Sequence, residues 1–311
     1  MPRPGVLRTR LLPPRPPGEL LGRPALVGRA REGLRGRLVV VIAGPGYGKS
    51  TLLAQVVAGL PGPWAWCSLD ERIDGPQPFL AHLLAGIGLQ VPGFGAGVVL
   101  DGTPDAQVRE LANEVASTIS EDLVIVLDDA HLLRARPAVE TLDLLLHDLP
   151  PTAHVLIASR VELPVSLGRL RPQGVTEIRE ADLALTRAES DALLAALGAR
   201  PSPEDAARLH RLTEGWITGL LLAGRSPEAI RRLEDAGALG RELAGYLADE
   251  VVGGQPEDVQ EFLVRTAVLE RFTPQIAAQV AGREDAREVL RRLVDEHVFA
   301  VRLGDTGEWF R

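Results

Sequence analysis

A continuous apolar run, Leu38-Val39-Val40-Val41-Ile42-Ala43, stops at Gly44-Pro45-Gly46-Tyr47-Gly48 and gives way to Lys49-Ser50-Thr51 and a stretch of helix formers reaching Leu60. No other stretch constrains the fold as much. An apolar run without polar alternation requires a strand covered on both faces, and a helix directly after it packs back onto the sheet, as in parallel α/β folds. The glycines let the backbone curl with its N–H groups inward, and the helix presents its positive end to the same point, so the loop suits a phosphate. Lys49 sharpens this reading, because it is the one lysine among 311 residues, against 33 arginines. A compact ammonium on a flexible stem fits between the β and γ phosphates of a nucleotide, where a planar guanidinium of different reach does not. The pattern G-x-x-x-x-G-K-[ST] gathers Gly44, Pro45, Gly46, Tyr47, Gly48, Lys49, Ser50 and Thr51 as the phosphate-binding set, with Ala43 where the first glycine belongs. The hydroxyl of Ser50 is the candidate ligand for Mg²⁺.

Two further strands end in polar residues. Leu123-Val124-Ile125-Val126-Leu127 runs into Asp128-Asp129-Ala130-His131, placing two carboxylates at the C-terminal end of a buried strand, where open α/β sheets bind ligands. Asp128 is the candidate for holding Mg²⁺ through water, and Asp129 for orienting or deprotonating an attacking water. An Asp-Asp pair that merely caps a following helix is the bland alternative. Likewise His154-Val155-Leu156-Ile157-Ala158-Ser159 ends at Arg160, which on a strand beside the phosphate strand could reach the γ phosphate; a solvated or ion-paired arginine is the alternative.

Composition narrows the class. With 45% apolar and 24% charged residues, the chain reads as a compact cytoplasmic protein of two or three domains. No run of 18 apolar residues suggests a membrane span, and the Pro- and Arg-rich leader lacks a signal-peptide core. Cys67 is the single cysteine, so no intrachain disulfide can form, and the six histidines lack metal-ligand spacing. Residues 1–40 carry +7 and the other 271 about −15, so the body repels nucleic acid and direct nucleic-acid binding is not expected.

Strands near 38–43, 64–68, 123–127, 154–159 and 175–178 alternate with helices near 49–59, 77–88, 104–119 and 137–148, which predicts a parallel sheet with helices on both faces. After Asp182 the pattern turns helical. Thr186 with Glu189 reads as a capping box ahead of 188–197, and further helices are expected at 203–213, 216–224, 227–235, 238–252, 256–268, 274–281 and 284–296. Leu243, Leu247 and Val251 recur as a buried stripe. Residues 298–303 and 308–311 flank Gly304-Asp305-Thr306-Gly307 as a hairpin whose second strand has barely begun. Helices followed by such a hairpin suggest a winged helix, in a chain cut from something longer.

In order, the stretches AGPGYGKSTLLAQ, WAWCSLDE, LVIVLDDAHLL, HVLIASR, LALTRAES, EGWITGLLLAG and VRLGDTGEWF resemble the ATPase part of the MalT-like regulators, the large ATP-binding LuxR-type branch of STAND NTPases. Alanine at the first glycine is typical of that branch. The resemblance implies an α/β P-loop NTPase domain followed by an all-helical arm and a partial winged-helix domain. The corresponding bounds are an arm at 1–30, the NTPase domain at 31–182, a helical domain at 183–238 and a truncated winged helix at 239–311. It implies ATP or ADP with Mg²⁺ as ligands, slow hydrolysis, and a switch that rests with ADP and self-associates with ATP. An inducer would be bound by a domain outside this chain.

Carried over residue by residue, the resemblance makes Lys49, Asp129 and Arg160 the catalytic set and places Val27, Gly28 and Arg29 against the adenine. Two departures stand out: Gly215-Trp216-Ile217 lacks the proline of the Gly-x-Pro motif near the base, and the Tyr-His expected after Trp309-Phe310 is absent, which weakens the resting ADP lock. A GTPase is excluded because its base-reading Asn-Lys-x-Asp needs a second lysine. An AAA-type ATPase or a nucleotide-gated signalling ATPase unconnected with transcription remains the alternative.

Overall fold

The computed structural model describes residues 6–14, 21–225, 255–269, 271–295, 300, 302–303 and 309–310. The helices expected at 227–235 and 238–252, the Leu243–Leu247–Val251 stripe and the 238/239 boundary lie outside the described residues. Contacts divide the chain into one unit of Met1–Ile42 with Gly48–Leu183 and another of Ala43–Tyr47 with Ala184–Arg311.

The first unit is a five-stranded parallel sheet ordered β2-β3-β4-β1-β5. Its strands are β1 (Leu38–Ile42), β2 (Trp64–Ser68), β3 (Leu123–Asp128), β4 (Ala153–Ser159) and β5 (Val175–Arg179). Every residue of β1, β3 and β4 is buried, which is why these strands read as largely apolar runs, with Asp128, His154 and Ser159 near their ends. Helices α3 (Pro76–Gln90), α4 (Pro104–Thr118) and α5 (Arg136–Asp148) build one core with alternate strand residues, among them Leu38, Val40, Ile125, Val155 and Ile157. Helices α1 (Pro24–Gly33) and α2 (Lys49–Val57) touch each other and the sheet. Two short helices, α6 (Leu167–Leu170) and α7 (Glu180–Leu183), flank β5.

Most expected elements form within two residues of their sequence limits. Helix α1 was not foreseen: residues assigned to a Pro/Arg-rich arm start it at Pro24, a residue suited to a first turn, and bury Leu26, Val27 and Ala30. The expectation missed it because the inner face is only three residues long. Among the described residues, no helix is long and apolar enough to cross a membrane.

In the second unit, α8 (Arg187–Ala196) opens with the expected capping box between Thr186 and Glu189. Helices α9 (Pro203–Thr213) and α10 (Ile217–Arg225) follow. Farther on, α11 (Glu257–Thr266), α12 (Pro274–Ala281) and α13 (Ala286–Asp295) surround a core containing Val259, Phe262, Phe272, Leu290, Leu293 and Phe310. Strands β6 (Arg302–Leu303) and β7 (Trp309–Phe310) pair antiparallel, and Phe310 is also bridged to Phe272. Three helices and a hairpin make the winged helix that the sequence suggested.

The N-terminal edge of the sheet is fastened by Arg37, whose guanidinium donates to the carbonyls of Leu149 (2.8 Å), Pro150 (2.8 Å) and Ala153 (2.6 Å) and to Gln173 Oε1 (3.1 Å). Buried carbonyls left without donors are costly, so Arg37→Ala should lower the unfolding free energy by about 2–4 kcal/mol in urea denaturation, and Arg37→Lys, with no fork of donors, should recover only part of it.

Candidate functional site

Lys49 starts α2, and the residue before it, Gly48, caps the helix with φ +77°. Gly46 has the same φ, so both take the left-handed conformation that glycine adopts without cost and that lets consecutive N–H groups converge. Lys49 is only 7% exposed. Burial, and after it the charge of Arg160, push its ammonium down to about 8, against the opposing pull of Asp129, Asp128 and Glu180. A buried ammonium that also feels the charge of Arg160 marks a place that an anion would relieve.

Strand order explains how the polar ends meet. Strand β4 lies between β1 and β3, with Ser159 opposite Ile42 and Ile157 opposite Leu127. Residues following β1, β3 and β4 therefore emerge at one edge of the sheet, the carboxyl edge where such sheets bind ligands. Asp128 closes β3 and is buried. Its Oδ1 accepts from Ser50 Oγ at 2.9 Å and from the Asp129 N–H at 3.1 Å. Burial and then the Asp129 carboxylate push Asp128 up to about 6, while Ser50 and Lys49 act the other way.

Asp129 takes φ +58° and ψ +40°, a left-handed conformation that a short polar side chain tolerates. It turns the chain out of the strand, and its carboxylate stays about one-third exposed. Arg160 follows Ser159, whose hydroxyl accepts from the Val161 N–H at 3.2 Å and so shapes the turn from which Arg160 departs.

Two residues to which the sequence assigned no role join this edge. His131 is 91% buried at its side chain, with Nδ1 3.9 Å from Asp129 Oδ1. That Nδ1 is one of the few buried polar atoms among the described residues without a hydrogen-bond partner. Burial, followed by Arg160 and Lys49, pushes the imidazole down to about 3, so it is neutral at physiological pH. The available signal was a histidine two places beyond the strand's second carboxylate. Glu180, first residue of α7, acts electrostatically on Lys49 across from the aspartates.

Val27, Gly28 and Arg29 all lie on α1. Val27 is buried against the unit's own core, and Gly28 has open space where a side chain would stand. Arg29 donates to Asp182 Oδ1 (2.6 Å) and to the Glu177 carbonyl (2.8 Å).

The Ser50 hydroxyl and Asp128 carboxylate form a pair of hard oxygen donors fitting a magnesium ion that takes its other ligands from phosphate and water. Among the described residues, no cluster of three His, Cys, Asp or Glu side chains could bind a metal by itself.

Because the folded pKa of Asp128 is raised from 3.8 to about 6, its contribution to stability is present below pH 4 and lost as pH rises through 6. The isosteric Asp128→Asn, whose amide oxygen can still accept both hydrogen bonds, should therefore be more stable than the parent by on the order of 2 kcal/mol at pH 8, with the gap closing toward pH 4. Thermal melts of the nucleotide-free proteins across this range check it.

Comparison with known proteins follows the same division of the chain. Residues 33–165 match an AAA domain and residues 248–311 the MalT winged helix domain. The chain is 29% identical to the HTH-type transcriptional regulator MalT of Cronobacter sakazakii over 88% of its length and 32% of that protein's. It is 30% identical to the serine/threonine-protein kinase PknK of Mycobacterium tuberculosis over 100% of its length and 29% of that protein's. It thus spans about a third of the length of the curated relatives it matches. A STAND protein with a tetratricopeptide repeat sensor from Pyrococcus horikoshii aligns over 96% of this chain and 41% of its own, with a TM-score of 0.48 and 18% identity. An AAA domain followed by a MalT winged helix domain, with similarity to MalT running through both, makes this chain similar to the MalT-like P-loop ATPases.

Proposed function

We propose that this chain is the nucleotide switch of a larger regulator: it binds ATP or ADP with Mg²⁺, hydrolyses ATP slowly, and self-associates in the ATP state. One observation carries the reading. A lysine buried beside an arginine, at the same sheet edge as two aspartates, one bonded to the phosphate-loop serine, is the constellation phosphoryl transfer needs.

In this reading Lys49 lies against the β and γ phosphates, and the backbone N–H groups of the loop from Gly46 to Thr51, with no donor from Pro45, surround them. Ser50 and Asp128 hold Mg²⁺, which supplies positive charge against the phosphates. Asp129, the exposed member of the pair, orients the attacking water and takes its proton. Arg160 neutralises charge developing on the γ phosphate. His131, neutral and 3.9 Å from Asp129, lies beside that carboxylate. Val27, Gly28 and Arg29 line the adenine side, Arg29 being held by Asp182 and the Glu177 carbonyl. Hydrolysis is slow because transition-state charge stays incompletely neutralised until assembly adds further groups.

The domain division proposed is an arm at 1–30, the NTPase domain at 31–182, a helical domain at 183–238 and a winged helix at 239–311. The whole protein would work in the cytoplasm, with inducer recognition and DNA binding belonging to segments other than these. Similarity to PknK over the whole chain favours a second reading, in which the same module serves a signalling protein unconnected with transcription.

Denaturing the purified chain and resolving the released nucleotide by anion exchange tests the central claim. Retained ADP, or an empty protein that then binds ATP but not GTP, is expected, and either is lost in Lys49→Ala. Asp129→Asn should bind ATP normally and hydrolyse it about 100-fold more slowly or worse. Failure of the parent to bind ATP or ADP with Mg²⁺ would sink the reading.

A further inference from the structure

Gly215-Trp216-Ile217 stands where a proline facing the base was expected. In the second unit this turn instead grips the phosphate-binding loop. Trp216 Nε1 donates to the Pro45 carbonyl at 3.0 Å. The Thr218 hydroxyl and the Thr218 backbone N–H both donate to the Gly46 carbonyl, at 3.1 and 3.2 Å.

Each of these donors has a local origin. Helix α9 ends at Thr213, and Glu214 and Gly215 both take positive φ, which reverses the chain and sets Trp216 immediately before α10. The first N–H groups of a helix have no partner within it, and at Thr218 that free donor goes to Gly46. A side chain at position 219 would come within 2.8 Å of the Trp216 ring, so Gly219 leaves room for the indole. A Cβ at position 46 would lie 2.5 Å from Thr218 Oγ1 and 2.8 Å from Trp216 Nε1. Gly46 is therefore required twice over, by its positive φ and by the two donors closing on it.

In a loop whose N–H groups turn inward to an anion, the carbonyls turn outward and need donors of their own. We propose that Trp216 and Thr218 are positioning residues of the phosphate-binding loop: by holding the Pro45 and Gly46 carbonyls they keep the intervening peptide groups in the orientation that receives phosphate. The inference rests on the nucleotide-binding reading above and extends it to residues that touch no phosphate. It also gives the proline-free turn a role directed at the loop in place of the base.

Isothermal titration of ADP with Mg²⁺ into the parent chain, Trp216→Phe, Thr218→Val and Thr218→Ser tests it, with melting of the nucleotide-free proteins recorded alongside. Phenylalanine keeps the ring and loses the indole N–H; valine keeps the shape and loses the hydroxyl; serine keeps the hydroxyl. Trp216→Phe and Thr218→Val should each weaken ADP by about fivefold to tenfold, the value of one such hydrogen bond, and Thr218→Ser should restore the parent affinity. Should Trp216→Phe melt early, Thr218→Val against Thr218→Ser decides alone. Parent-like ADP affinity in Thr218→Val, or equal loss in Thr218→Ser, overturns the proposal. No ADP binding by the parent fails the nucleotide reading itself and this inference with it, so the two failures are distinguishable.

Discussion

A buried lysine ammonium beside a guanidinium is expensive unless negative charge lies nearby. The fold answers Lys49 with Asp128 and Asp129 at the end of β3 and Glu180 just after β5, each acting through space. That requirement ties the architecture together. The carboxylates reach the lysine only if β3 and β5 run parallel to β1 in a register that ends them at one level. The opposing edge is secured by Arg37, which draws the starts of β4 and β5 to the start of β1 through backbone carbonyls and a glutamine.

The same electrostatics separate the roles of the two aspartates. Asp128 is buried, bonded to Ser50 and poised near neutrality, so a divalent cation would fix its charge. Asp129 is thrown outward by its left-handed backbone and remains partly in solvent. Adjacent identical residues thus meet different surroundings, because a strand ends between them.

Much of this was legible in the sequence. Apolar runs ending in glycines, aspartates or arginine carried strand, edge and chemistry together, and the capping box at Thr186 and Glu189 formed as its local pattern requires. Less legible were features made by packing. The orphaned Nδ1 of His131 depends on what surrounds it after folding, so six scattered histidines gave no warning. Trp216 and Pro45 are 171 residues apart, and nothing local to either announces their hydrogen bond. Helix α1 was hidden by a proline- and arginine-rich composition that suggests an exposed arm, although three of its residues are buried.

A chain with a single ε-amine also has a distinctive chemical fate. Lysine acylation, glycation and enzymatic tagging normally fall on many exposed sites whose modification changes little; within these 311 residues each has only Lys49 to reach. Its lowered pKa leaves more of the amine uncharged and nucleophilic near neutral pH, while its burial limits access. Any acyl group that arrived would remove the one lysine ammonium at the carboxyl edge of the sheet, so under the function proposed above lysine modification and loss of nucleotide binding would become a single event.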